Sequence, residues 1–176
     1  MQLSDSDYQT LHQQLGRRPS GIVDIAARAQ SESASVPTVL KMRAWLDAKP
    51  FPTLYWLCSK DLHKAINQIE TAGYVKLLEQ TLELDEELMQ MHLQDQRRYQ
   101  RLRLESMHDL DRAQLQKVGL LDTFEQTGIG GIKDLHKVRC LHMQYAYHLA
   151  TLDQGGSMIG RRLDNEFQLN TLKIRI

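Results

Sequence analysis

The chain lacks an excess of charge of either sign, with 22 Lys and Arg against 22 Asp and Glu in 176 residues. That balance removes the simple electrostatic case for a nucleic-acid or membrane-surface binder, which relies on surplus Lys and Arg. No apolar run approaches the roughly 20 residues that a membrane-spanning helix needs. The start, Met1-Gln2-Leu3-Ser4-Asp5, has neither the basic residues nor the apolar stretch of a signal peptide. Cysteine is scarce, with only Cys58 and Cys140. One disulfide is allowed by that count, but two free thiols in a reducing cytoplasm is the simpler reading, and their spacing does not say whether they lie close. Internal repeats and low-complexity tracts are missing. So are a phosphate-binding P-loop, a Gly-x-Gly-x-x-Gly fingerprint, a Gly-x-Ser-x-Gly elbow and a His-Glu-x-x-His pair. Neither a membrane nor a nucleic acid is therefore expected as partner. What is present, 41% apolar and 25% charged residues, suits one folded domain over 1–176.

Local signals lay out the elements. Ser4 or Ser6 caps a helix over 5–15 that carries Tyr8, Leu11 and Leu15 on one face and stops at Gly16. Strands are predicted at 21–27, 36–45 and 51–58, forming a small antiparallel sheet. From Ser59 the apolar spacing becomes helical: 60–72 ends at Gly73, 74–107 breaks near Asp85, and a short helix ends at Gly119. The run Gly128-Ile129-Gly130-Gly131 is expected to open a helix from Ile132 to Thr151. The tail 161–176, with Leu172, Ile174 and Ile176 alternating, reads as a strand. The expected class is α+β, a small N-terminal sheet packed against a mostly helical remainder.

Three stretches carry a resemblance: Leu15-Gly16-Arg17-Arg18-Pro19-Ser20-Gly21-Ile22-Val23, Phe51-Pro52-Thr53-Leu54-Tyr55-Trp56-Leu57, and Gly130-Gly131 continuing to Val138-Arg139-Cys140-Leu141-His142. Together they resemble the bacterial family of unknown function numbered five hundred and one, over roughly residues 15–160. The resemblance implies no activity. In that family the residue after the Tyr-aromatic-Leu stretch is followed by Cys-Pro. Here Cys58 stands one position earlier and Ser59-Lys60 fills the place of that pair, which puts any metal role for the family cysteine in doubt.

On a helix from Ile132, turning roughly 100° per residue, Arg139 and His142 fall on the apolar arc. An ionised arginine there needs a partner or a cavity. The anion reading joins Gly130 and Gly131, as a helix start with free N–H groups, to Arg17, Arg18, Arg28 and Arg139. A phosphorylated small molecule is the ligand this suits, with His142 as general acid or base should the protein be an enzyme rather than a sensor. The alternative is a buried structural network in which Arg139 pairs with Asp24, Asp134 or Glu166. On the same helix Cys140 and His142 would lie roughly 200° apart, too far round to grip one ion. His136 and Cys140, with Cys58 and His63 from elsewhere, form the weaker metal alternative, so no cofactor is expected. Lys137 and His148 are placed toward solvent, and His12, His92 and His108 on the surface. The charged helix 86–106 offers a second class of function, docking a protein partner or a second copy through Arg97, Arg98 and Arg101.

Overall fold

In a computed structural model, residues 3–31 and 35–175 are described. Helix α1 (Asp5–Leu15) is held at its start by reciprocal bonds between Ser4 and Asp7 and closed by Gly16. Strand β1 (Ile22–Gln30) pairs antiparallel with β2 (Ser35–Met42), and β5 (Tyr55–Leu57) adds to the other edge of β2. The predicted strands 36–45 and 51–58 are shorter than expected. Between them the chain folds into a separate hairpin of β3 (Trp45–Leu46) and β4 (Lys49–Pro50). Its two-residue turn, Asp47-Ala48, takes both residues to positive φ, 47° and 60°. Such a turn matches the twist of the flanking strands and leaves no continuous strand through it.

Strand β2 is buried on both faces, because α1 covers one side of the sheet and the later helices cover the other. Leu11, Leu40, Met42 and Cys58 pack on the α1 side. Val36, Val39 and Leu57 enter the main core on the opposite side. The fold is α+β, with the antiparallel sheet near the N-terminus and eight helices among the described residues.

Helix α2 (Lys60–Thr71) starts at Ser59 and ends before Gly73, as the sequence predicts. α3 (Tyr74–Leu84) gives way to α4 (Glu86–Glu105) at Asp85, whose side chain accepts the Leu88 N–H at 3.0 Å. α5 (Asp109–Lys117) begins at His108, whose Nδ1 accepts the Leu110 N–H at 3.2 Å, and α6 (Leu121–Gln126) follows.

The helix expected from Ile132 to Thr151 is a correction. Gly130 and Gly131 sit in a short 3-10 turn with φ of 76° and 70°, and 132–140 is irregular. Two of its N–H groups go to carboxylates, His136 N to Asp134 at 3.0 Å and Val138 N to Glu79 at 2.9 Å, and the Lys137 N–H closes a turn onto the Asp134 carbonyl at 3.1 Å. Only then does α7 (Leu141–Ala150) begin, in the middle of the main core, with Leu141, Tyr145, Ala146 and Tyr147 fully buried. α8 (Met158–Phe167) packs beside it.

The tail is also a correction. Residues 169–171 form a 3-10 turn and no strand follows up to Arg175, while Ile176 lies outside the described residues. The tail is tied down by Gln14, which donates to the Arg175 carbonyl at 2.7 Å, and by Asp61, which accepts the Arg175 N–H at 2.8 Å. Side-chain bonds to α1 and α2 thus take the place of a sheet ladder.

Candidate functional site

A cleft of about 800 Å³ opens between the sheet, the β3–β4 hairpin and the facing ends of α2 and α7. Phe51, Trp56 and Met143 give it an apolar wall, and the exposed Arg17 and Lys49 also line it. His63, Asn67, Cys140 and His142 form its polar side. A more open groove of about 790 Å³ runs along α2 and shares His63 and Asn67. The guanidinium of Arg17 stands over the Trp56 ring, 5.6 Å from its centroid, so its charge is held beside an aromatic face.

The polar side is organised by Glu70, in the last turn of α2. A carboxylate there opposes the dipole of its own helix. Across space it meets the start of α7: Glu70 Oε1 accepts the Leu141 N–H at 2.6 Å and satisfies a helix-start donor that Cys140, the residue before it, leaves unpaired. The other oxygen, Oε2, lies 3.4 Å from His142 Nδ1. Cys140 Sγ lies 3.7 Å from the same nitrogen. On its far edge, His142 Nε2 faces the His63 carbonyl at 3.4 Å. The His63 ring sits against the His142 ring, centroids 4.6 Å apart, and its own Nε2 donates to Leu57 O at 2.8 Å.

Burial pulls the His142 pKa down, but the neighbouring thiol and the Glu70 carboxylate outweigh it and raise the group above its ordinary value. His63 moves the other way, lowered chiefly by burial. The cluster therefore pairs a histidine that takes a proton readily with one that resists it.

Cys140 and His142 are adjacent, contrary to the helical-wheel expectation. Cys140 is extended rather than helical, with φ −142° and ψ 118°, and this brings its thiol beside the first turn of α7. Arg139 is exposed rather than buried, for the same reason. Of the candidate anion ligands, Arg17 and His142 line the cleft. Arg18 lies over Tyr8, 3.8 Å from its ring centroid, and Arg28 pairs with Asp7 at 2.8 Å. A Cβ on Gly130 would meet Arg139 and Met143 at 3.5 Å, so this turn packs against the segment leading into α7, and neither it nor Gly131 opens an α-helix.

The metal set expected from sequence is divided. Cys140 and His63 line the cleft, whereas His136 is exposed beside Asp134 at 3.0 Å. Cys58 is fully buried, its thiol bonded to Pro37 O at 3.4 Å and pushed up to about 12 by burial. Both cysteines are free thiols. Glu70 escaped the sequence reading, although its place in the last turn of α2, against the dipole, was a usable signal.

Elsewhere, the buried arginine is Arg103, not Arg139. Its guanidinium reaches the Phe124 and Thr127 carbonyls at the end of α6 and lies 5.3 Å from the Tyr99 ring centroid. His92 and His148, expected in water, are 1% exposed. Along α4, Arg98 donates to Gln154 at 2.8 Å, Arg101 lies 3.9 Å from Glu105, and Arg97 is exposed. Among the described residues no helix is long and apolar enough to cross a membrane.

No curated protein and no solved structure matches the chain. A family match covers residues 26–165 and takes in β2, β5, Glu70, Cys140 and His142, so the chain belongs to the family described as Protein of unknown function (DUF501).

Proposed function

We propose that the chain binds an anionic small molecule with a flat or apolar body, a phosphorylated metabolite being the natural candidate, in the cleft beside Trp56. The observation that carries this is the convergence of Arg17, held over Trp56, with His63 and His142 in one cavity of about 800 Å³. That volume lies within the range of small-molecule sites, about 300–1,000 Å³, and the mixture of aromatic wall and few polar groups is typical of them. Lys49 adds a second positive charge, and Asp47 is the acidic group among the lining residues. His142 is the group placed to give or take a proton at the bound molecule. Two free thiols support reading the compartment as the bacterial cytoplasm.

Thermal unfolding with nucleoside monophosphates, sugar phosphates and aromatic carboxylates tests the reading. A ligand at 100 times its dissociation constant stabilises by about 2.7 kcal/mol, a rise of about 5–10 °C for a chain of this length. The double variant Arg17→Glu, Lys49→Glu should abolish the rise. No shift from any of the three classes at millimolar concentration overturns the proposal.

A further inference from the structure

We propose that Glu70, Cys140 and His142 bind one divalent transition-metal ion of zinc's class, with a fourth coordination position open to the cleft. Their donor atoms, one carboxylate oxygen, Sγ and Nδ1, all lie within 4.8 Å of one another. Among the described residues no other three His, Cys, Asp or Glu side chains come together in this way.

The individual spacings fit such a site. Zinc sits about 2.3 Å from sulfur and about 2.0–2.1 Å from nitrogen or oxygen, so a tetrahedral site holds nitrogen and oxygen about 3.3 Å apart and sulfur and nitrogen about 3.6 Å apart. The observed separations are 3.4 Å and 3.7 Å. A nucleophile–histidine–carboxylate triad is excluded. It needs the thiol and the carboxylate on opposite ring nitrogens, whereas both approach Nδ1 here and Nε2 faces the His63 carbonyl.

The remaining bonds prepare the three donors. A proton on Nε2 donates to the His63 carbonyl and leaves the Nδ1 lone pair facing the cluster, which is the orientation that second-shell partners impose on metal-bound histidines. Glu70 Oε1 is fixed by the Leu141 N–H, which leaves Oε2 for the ion. Cys140 and His142 line the cleft and Glu70, at the end of α2, completes the set, so three protein ligands leave a coordination position on the cleft side. That count is the pattern of ion sites that bind water or substrate, and a nitrogen, sulfur and oxygen set disfavours magnesium and calcium. The anion proposed for the cleft would reach the ion through this open position, with His142 then acting as a ligand and no longer as an acid or base, but the ion's own binding does not depend on the anion.

The test uses the full chain, treated with a chelator and then titrated with zinc chloride alone by calorimetry under reducing conditions. One ion per chain is expected to bind. Cys140→Ser, Glu70→Gln and His142→Ala should each weaken uptake by on the order of 100-fold or more, and Cys58→Ser should leave it unchanged. Cobalt(II) in place of zinc should give the intense visible bands of a four-coordinate site with a thiolate-to-cobalt transition that Cys140→Ser removes. Circular dichroism of the metal-free variants checks that each is folded. An absence of stoichiometric uptake by the unaltered chain overturns the proposal, as does uptake unchanged in Cys140→Ser or lost in Cys58→Ser. The double variant Arg17→Glu, Lys49→Glu separates the two readings, because it should bind zinc normally while losing any anion-induced stabilisation.

Discussion

Helix α7 carries a histidine–carboxylate pair near each end, and the two are built for different work. At its C-terminal end His148 is 1% exposed and has both ring nitrogens committed: Nε2 donates to Asp164 at 3.0 Å, and Nδ1 accepts the Ser157 N–H at 2.9 Å. Tyr145 donates to the other Asp164 oxygen at 2.7 Å. Gly160 packs so closely that a Cβ there would stand 1.9 Å from the ring, so the histidine and the glycine specify each other. At the N-terminal end His142 is 14% exposed and faces a cleft, and its two polar neighbours, Glu70 at 3.4 Å and Cys140 at 3.7 Å, crowd one nitrogen. A histidine satisfied on every side holds a fold together. One with an open side and donors gathered round a point is available for chemistry.

Cutting the carboxylate at each end should break the symmetry. Asp164→Ala orphans the Tyr145 hydroxyl and the His148 N–H in a buried place. With about 1–3 kcal/mol for each unsatisfied group, a loss of about 3 kcal/mol is expected in urea unfolding. Glu70→Gln keeps an oxygen for the Leu141 N–H and should cost less than about 1 kcal/mol. Equal losses would mean that both pairs are structural.

Acid sharpens the contrast, because the two histidines shift in opposite directions. Burial lowers His148 more than Asp164 raises it, so the unfolded chain takes up a proton that the folded chain resists. Its contribution is full above the unfolded value of 6.5 and falls away as the pH drops through that value. His63 and His92 are lowered as well, each mainly by burial, and they add to this loss. His142 is raised, so its contribution is full below 6.5 and is lost as the pH rises through its folded value. Unfolding free energy should therefore decline below about pH 6.5. In the metal-free chain His148→Gln should flatten that decline, whereas His142→Gln should leave it in place and remove instead the loss of stability that sets in as the pH rises above 6.5, as read from denaturant midpoints at a series of pH values.

The smallest effect lies at the hairpin beside the cleft. Ala48 has φ 60°, a conformation that disfavours a Cβ. Ala48→Gly should raise stability by about 0.5–1 kcal/mol without altering zinc uptake.

What could be read from sequence divides along the same line as the two histidines. Caps and breaks at Ser4, Gly16, Gly73 and Asp85 are local, and they appear where the residues say. Residues 132–140 carry helical apolar spacing, yet the His136 and Val138 N–H groups are taken by Asp134 and by the distant Glu79. Periodicity has no access to such a competitor. Arg103 lies in the charged helix 86–106, and its burial leaves no local mark there, because its partners are main-chain carbonyls some twenty residues away. Cys140, His142, His63 and Arg17 were each visible as chemically capable side chains. Their meeting place was not, since it depends on an extended Cys140 and on a carboxylate from α2.

The bond between Glu70 and the Leu141 N–H closes a separation of 71 residues. Closing so long a loop carries an entropic penalty that is met only after both helices have docked. The cluster at the head of α7 is thus expected to form late, so that Glu70→Gln should change the unfolding rate more than the folding rate. An ion held there should prolong the lifetime of the native state by slowing its opening, while the rate at which a new chain folds stays nearly the same.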